Sequence, residues 1–251
     1  MINLLFMLSL FVNPGFGNPI ELGDVHWLRS MDEAQARSKN ESKPILILFQ
    51  EIPGCSTCRS YGNEVLSRPL IVEAIESYFI PLAIYNNKGG QDTEVLKQYN
   101  EPAWNNPVVR IVDEKGKDIV SRLNGNYSAY GLANMMMNVL IKKQGEIPLY
   151  LQLMTDELAA DQHGVFTTTY SMYCFWAGEA LFGKANGVIR TEAGYQGGKE
   201  VVKVEYDPTI ITKSQLDRIA EQSTCKSISV GSFRADATPK YYLSKSVLNE
   251  N

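Results

Sequence analysis

Two cysteines in Pro-Gly-Cys-Ser-Thr-Cys, Cys55 and Cys58, and a third in Tyr-Cys-Phe-Trp-Ala-Gly-Glu, Cys174, are the residues whose spacing can do chemistry. A C-x-x-C pair is too close in sequence to staple distant parts of a fold, and so short a loop removes little entropy from the unfolded chain. Placement gives it a different use. The apolar run "PILILF" at 44–49 predicts a strand buried on both faces, ended by the turn at Pro53 and Gly54. A helix is expected to begin at Cys55, carry Cys58 in its first turn and run toward Val65. Unpaired backbone N–H groups and the dipole at a helix start stabilise a thiolate, lowering a pKa of about 8.5 by one to several units. Cys55 is then the attacking thiol and Cys58 the resolving one. A zinc half-site or a structural disulfide is the alternative reading. No second C-x-x-C or nearby His completes a four-ligand zinc set, so no metal and no cofactor is expected.

Cys174 invites the same argument. From Val165 the order reads strand "VFTTTYSMY", helix "CFWAGEALFGKAN", strands "VIRTEAGY" and "EVVKVEYD", helix "TKSQLDRIAEQS", strand "KSISV". This β-α-β-β-α-β order is the ferredoxin-like plan, and it puts Cys174 at a strand-to-helix junction. Phe175 and Trp176 either wall a small apolar cage, suited to a methyl or thioether group, or pack on the sheet as core; spacing leaves both open. The fourth cysteine, Cys225, follows a helix and either resolves an oxidised Cys174 or fills a core position.

The elements around the first pair continue the pattern. "YFIPLAIYN", "NPVVRIVDEKG" and "KDIVSRLNG" predict three further strands, and residues 130–143, with "LANMMMNVLIKK", a closing helix. Met135 to Met137 are core filler rather than a copper site, because helical spacing points them in different directions. Polar and acidic residues then rise, so a linker is placed at 145–164, with His163 a loop residue in it. At the front, "MINLLFMLSLFVNPGFG" reads as a signal peptide over residues 1–17, too short to span a bilayer and followed by no lipidated cysteine. Periplasmic or secreted localisation is expected, with no stable membrane insertion after cleavage. The net charge of −4 and scattered lysines and arginines exclude a nucleic-acid footprint.

Strand, C-x-x-C at a helix start and an Asn-Pro opening a later strand resemble the thioredoxin family over residues 27–144. The resemblance puts Pro107 at the family's cis-proline beside the cysteine pair. Here Gly54-Cys55-Ser56-Thr57-Cys58 stands where that family has Trp-Cys-Gly-Pro-Cys, so the direction of electron flow is open. In the second half, "CFWAGEALF", "GVIRTEAGYQGG" and "EVVKVEYDPTIIT" resemble methionine sulfoxide reductase A. That implies attack by the Cys174 thiolate on a sulfoxide sulfur, Phe175 and Trp176 around the S-methyl group, and a sulfenic acid left on Cys174. It implies that Tyr195 hydrogen-bonds the sulfoxide oxygen, and that Glu179 supports the helix. It also matches Asp236 and Tyr241, in "DATPKYY", to a late family motif. The segment that carries the family's acid is missing between "GYQGG" and "EVVKVEYD", with Glu200 a substitute, and Tyr173 replaces the glycine before the nucleophile.

The expected fold is therefore two-domain α/β: a thioredoxin-like α/β domain at 27–144, and a ferredoxin-like α+β domain at 165–251. The expected function is an exported peptide-methionine S-sulfoxide reductase working at Cys174 and regenerated by the C-x-x-C. Its partners are oxidised proteins or peptides and an external thiol donor. The other reading is a disulfide reductase whose second domain is an inactive peptide-binding module.

Overall fold

The structure, a computed structural model, describes residues 17–223, 226–229 and 231–236. Residues 1–16 of the stretch expected to be a signal peptide, together with Cys225 and Tyr241, lie outside them. A 3-10 turn at Ile20–Leu22 precedes α1 (Met31–Glu41), β1 (Ile45–Gln50), α2 (Ser56–Glu64), α3 (Pro69–Tyr78), β2 (Ile80–Tyr85) and α4 (Gln91–Gln98). Then come β3 (Val108–Val112), β4 (Leu123–Asn124) and α5 (Ala129–Gln144). The sheet order is β2-β1-β3-β4, with β1 and β2 parallel and β3 antiparallel to β1. Every residue of β1 is buried, as its unbroken apolar run requires. Alternate residues feed two cores. Leu46 and Leu48 face α3 and α5, while Ile45, Ile47 and Phe49 face Ala34 of α1 and Val95 and Leu96 of α4. The fourth strand is shorter than "KDIVSRLNG" suggests, two residues plus a bridge from Asp118 to Val112.

The second half contains α6 (Leu149–His163), β5 (Phe166–Ser171), α7 (Phe175–Phe182), β6 (Val188–Gln196), β7 (Lys199–Tyr206), α8 (Lys213–Glu221), β8 (Lys226–Ser227) and β9 (Arg234–Ala235). Its sheet runs β8-β5-β7-β6-β9, antiparallel throughout. The first four strands have the 4-1-3-2 arrangement of a ferredoxin-like sheet, and β9 extends its β6 edge. One face packs Tyr170, Val202 and Val204 against Phe182 of α7 and Leu216 of α8. Thr212 starts α8 with a capping box closed by Gln215. Among the described residues no helix is long and apolar enough to cross a membrane.

The stretch expected to be a linker differs: most of 145–164 is α6, and His163 ends it with its ring edge-on to Tyr130 at 5.9 Å. Leu151, Met154 and Leu158, one helical stripe, enter the core of the first domain. From another stripe, Asp161 pairs with Arg190 of β6 at 2.7 Å and Glu157 with the same guanidinium at 3.5 Å. Arg190 also pairs with Glu205 of β7 at 3.1 Å. The helix is thus packed into one domain and ion-paired to the other. Its polar residues are interface groups rather than solvated tether.

Candidate functional site

The sequence ends β1 at a buried Gln50 and turns sharply into α2. Gly54 makes that turn possible: a Cβ there would stand 2.4 Å from the Glu51 carbonyl oxygen and 2.6 Å from Cys58 Cβ. The Gly54 N–H donates to Glu21 Oε1 at 2.9 Å, and the Gln50 side-chain amide donates to the Glu21 and Cys58 carbonyls at 2.8 and 3.2 Å. This buried polar frame ties the N-terminal turn, the end of β1 and the start of α2 together. Cys55 is the exposed N-cap residue of α2, its sulfur 3.7 Å from that of the buried Cys58.

The two thiols have opposite environments. Hydrogen bonding from the Cys58 backbone N–H, helped by Thr57, holds the Cys55 thiol below its ordinary range. Burial pushes the Cys58 thiol up to about 11. The Cys58 thiol donates to Asn106 Oδ1 at 2.8 Å, and the Asn106–Pro107 peptide is cis. The loop that delivers Asn106 is itself held: Asn86 donates to the Asn105 carbonyl at 3.1 Å, and Asn105 to Glu101, which is fixed by Arg110 and Arg122. At neutral pH the reduced chain is therefore expected to lose one thiol, Cys55, to iodoacetamide first. Cys58 should resist until the pH nears about 11, and peptide mapping of a pH series checks the order.

Cys174 is likewise an N-cap residue, at the start of α7, and is half-exposed. The next N–H, that of Phe175, donates to Glu200 Oε2 at 3.3 Å, so the Glu200 carboxylate sits at the helix start beside Cys174. Tyr195 of β6 lies opposite Glu200 in the strand register. The Phe175 ring is 5% exposed and edge-on to both neighbours, 5.5 Å from Trp176 and 5.8 Å from Tyr195. Phe175 is thus a buried wall, and the half-buried Trp176 and Tyr195 are its flanks. The Arg234 guanidinium stands over the Tyr195 ring at 5.1 Å. Half-buried Asp236 follows β9, and its backbone N–H donates to the Ala193 carbonyl at 3.1 Å. Ser171, Met172, Tyr173, Lys199, Glu200 and Lys226 line a shallow groove beside this helix start. Met172 packs so closely on α7 that a Cβ on Gly178 would be 2.1 Å from its sulfur.

Glu179, one turn beyond Phe175 on the same helix face, is buried and accepts a hydrogen bond from the Ala193 N–H. Burial first, then the Glu192 charge, push its carboxyl up to about 7. The folded chain thus holds a proton that the unfolded chain releases at lower pH. Stability from this group is complete below about pH 4.5 and falls as pH rises toward about 7. Glu179→Gln is expected to raise the melting temperature above about pH 8, by an equivalent of about 1–3 kcal/mol, and to gain nothing near pH 4. Thermal melts at the two pH values decide it.

The structure brings Cys55 and Cys58 together at one helix start, with Asn106, the residue before cis Pro107, against Cys58, and it places Cys174, Phe175, Trp176 and Tyr195 at another. Sequence reasoning missed Asn106, although its place before Pro107 was a signal, and Glu21, for which nothing local was one.

Residues 31–140 are a thioredoxin-like domain, matching the family model of that description. The chain is also partially similar to peptide methionine sulfoxide reductases. It is 40% identical over 63 residues to that of Drosophila melanogaster, covering 20% of this chain and 26% of that protein. It is 42% identical over 67 residues to that of Methanococcus maripaludis strain C7, covering 20% of this chain and 43% of the relative. The chain therefore spans between about a quarter and about two-fifths of the length of these relatives. Among solved structures, a DsbH oxidoreductase aligns at 19% identity and a TM-score of 0.41, over 51% of this chain and 92% of the other. A thioredoxin from Thermus thermophilus aligns at 21% identity and a TM-score of 0.42, over 49% of this chain and 93% of the other.

Proposed function

We propose that this chain reduces peptide methionine S-sulfoxide at Cys174 and returns the oxidised cysteine to thiol through Cys55 and Cys58. The observation that carries the reading is two cysteines at helix N-caps in one chain, the second beside an aromatic wall and the Glu200 carboxylate. The Cys174 thiolate attacks the sulfoxide sulfur, Glu200 delivers a proton to the oxygen, and methionine leaves with a sulfenic acid on Cys174. Trp176 and Phe175 hold the methyl group, and Tyr195 donates to the oxygen, with Asp236 and Tyr241 completing the substrate contacts. A second thiol, Cys225 or Cys55, displaces water from the sulfenic acid to form a disulfide. Cys58 closes the cycle by leaving Cys55 and Cys58 joined, and an external thiol donor reduces them.

Having donor and acceptor in one chain raises their effective concentration. The leader at 1–17 points to export, so the proposed compartment is periplasmic or extracellular; loss of the leader from mature secreted protein checks that part. One observation favours a second reading, a binding module in place of an enzyme: the Glu200 carboxylate is already engaged by the Phe175 N–H. The test is an S-sulfoxide peptide supplied with dithiothreitol. Catalytic release of the methionine peptide is expected, whereas binding without turnover removes the enzyme reading.

A further inference from the structure

The C-x-x-C helix start offers a third ligand that sequence spacing does not reveal. One carboxylate oxygen of Glu51 and the sulfurs of Cys55 and Cys58 all lie within 4.8 Å of one another. The two sulfurs are 3.7 Å apart. Two thiolates bound to one tetrahedral zinc ion at about 2.3 Å each stand about 3.8 Å apart, so the pair already has a zinc spacing. A linear two-thiolate ion at similar bond lengths needs about 4.6 Å, and these sulfurs are too close for it. A carboxylate oxygen bound at about 2.1 Å stands about 3.6 Å from each sulfur, so Glu51 has at most about 1.2 Å to close through its side-chain torsions. The Glu51 backbone is already fixed at the site, its N–H hydrogen-bonded to the Cys58 sulfur. Exposure of Cys55 leaves the remaining tetrahedral position facing solvent.

We propose that the reduced chain binds one zinc(II) ion through Cys55, Cys58 and Glu51, with water in the fourth position. Binding sends the Cys58 thiol proton, and that of any Cys55 still protonated, to solvent. No electron moves. The disulfide form has no thiolates to offer and does not bind, so zinc and oxidation compete for the same sulfurs. Zinc then holds the pair reduced and withdraws it from thiol exchange. This inference stands apart from the sulfoxide chemistry, since it uses nothing at Cys174.

The test uses the full chain, reduced, freed of metal and titrated with zinc against a chromogenic chelator; cobalt(II) serves as a second probe through its thiolate charge-transfer absorbance. One zinc per reduced chain is expected, with none bound by the disulfide form and none by Cys55→Ser or Cys58→Ser. Glu51→Gln should bind at least about tenfold more weakly, since losing even an outer-shell partner costs that much. Cys174→Ser should bind as wild type does. Circular dichroism establishes that each variant is folded. Absence of stoichiometric uptake, uptake retained when both cysteines of the pair are replaced, or equal affinity in Glu51→Gln overturns the proposal.

Discussion

Serine at position 174 is expected to abolish reduction of a methionine S-sulfoxide peptide, by roughly three orders of magnitude or more, about 4 kcal/mol of barrier. A hydroxyl does not ionise near neutral pH and cannot take up the sulfoxide oxygen as a sulfenic acid does, so no covalent route remains. The substitution is otherwise gentle. Cys174 occupies the N-cap of α7 without a side-chain capping bond, and serine is a favoured cap that can accept from the following N–H groups. The melting temperature should therefore hold or rise while turnover disappears. Disulfide reduction through Cys55 and Cys58 should persist, which separates loss of one site from loss of the fold.

Glu200→Gln should lower kcat by about a hundredfold or more, the usual worth of a positioned general acid. Glutamine keeps an oxygen to accept the Phe175 N–H and a side chain of the same length in β7 opposite Tyr195. What it lacks is the proton. KM should change little, since the substitution leaves the aromatic wall of Phe175, Trp176 and Tyr195 in place. Full activity in this variant would move the proton to another group and leave Glu200 as a helix-start anchor.

Much of this architecture was legible because apolar runs and turn residues report it directly. "PILILF" became a strand buried on both faces, the helix began one residue after Cys55, and the second half took its β-α-β-β-α-β order. The misread segment was α6. Leu151, Met154 and Leu158 have helical spacing, but the acidic residues between them suggested solvent, because their partner Arg190 lies on a distant strand. A local pattern does not show a partner supplied by the fold. The same limit hid Glu21 under Gly54 and Asn106 against Cys58, both non-local contacts. At the second site, the aromatic neighbours of Cys174 and Glu200 as a stand-in acid were both readable from the chain, while the strand register, which sets Glu200 opposite Tyr195 with its carboxylate at the helix start, was not.

The packing of α6 also constrains how the two domains are proposed to communicate. A free twenty-residue tether would let the sulfurs meet at random over roughly 25 Å. With α6 packed into the first domain and held to β6 by Arg190, the approach instead depends on that ion-paired contact. Replacing Cys58 by serine tests the relay most directly, since it keeps the attacking thiol and removes the one that resolves it. After exposure to sulfoxide peptide, non-reducing peptide mapping should find Cys55 joined to Cys174 or Cys225 of the same chain. A Cys55 linked only to other molecules, or left free while Cys174 accumulates as sulfenic acid, would contradict the relay.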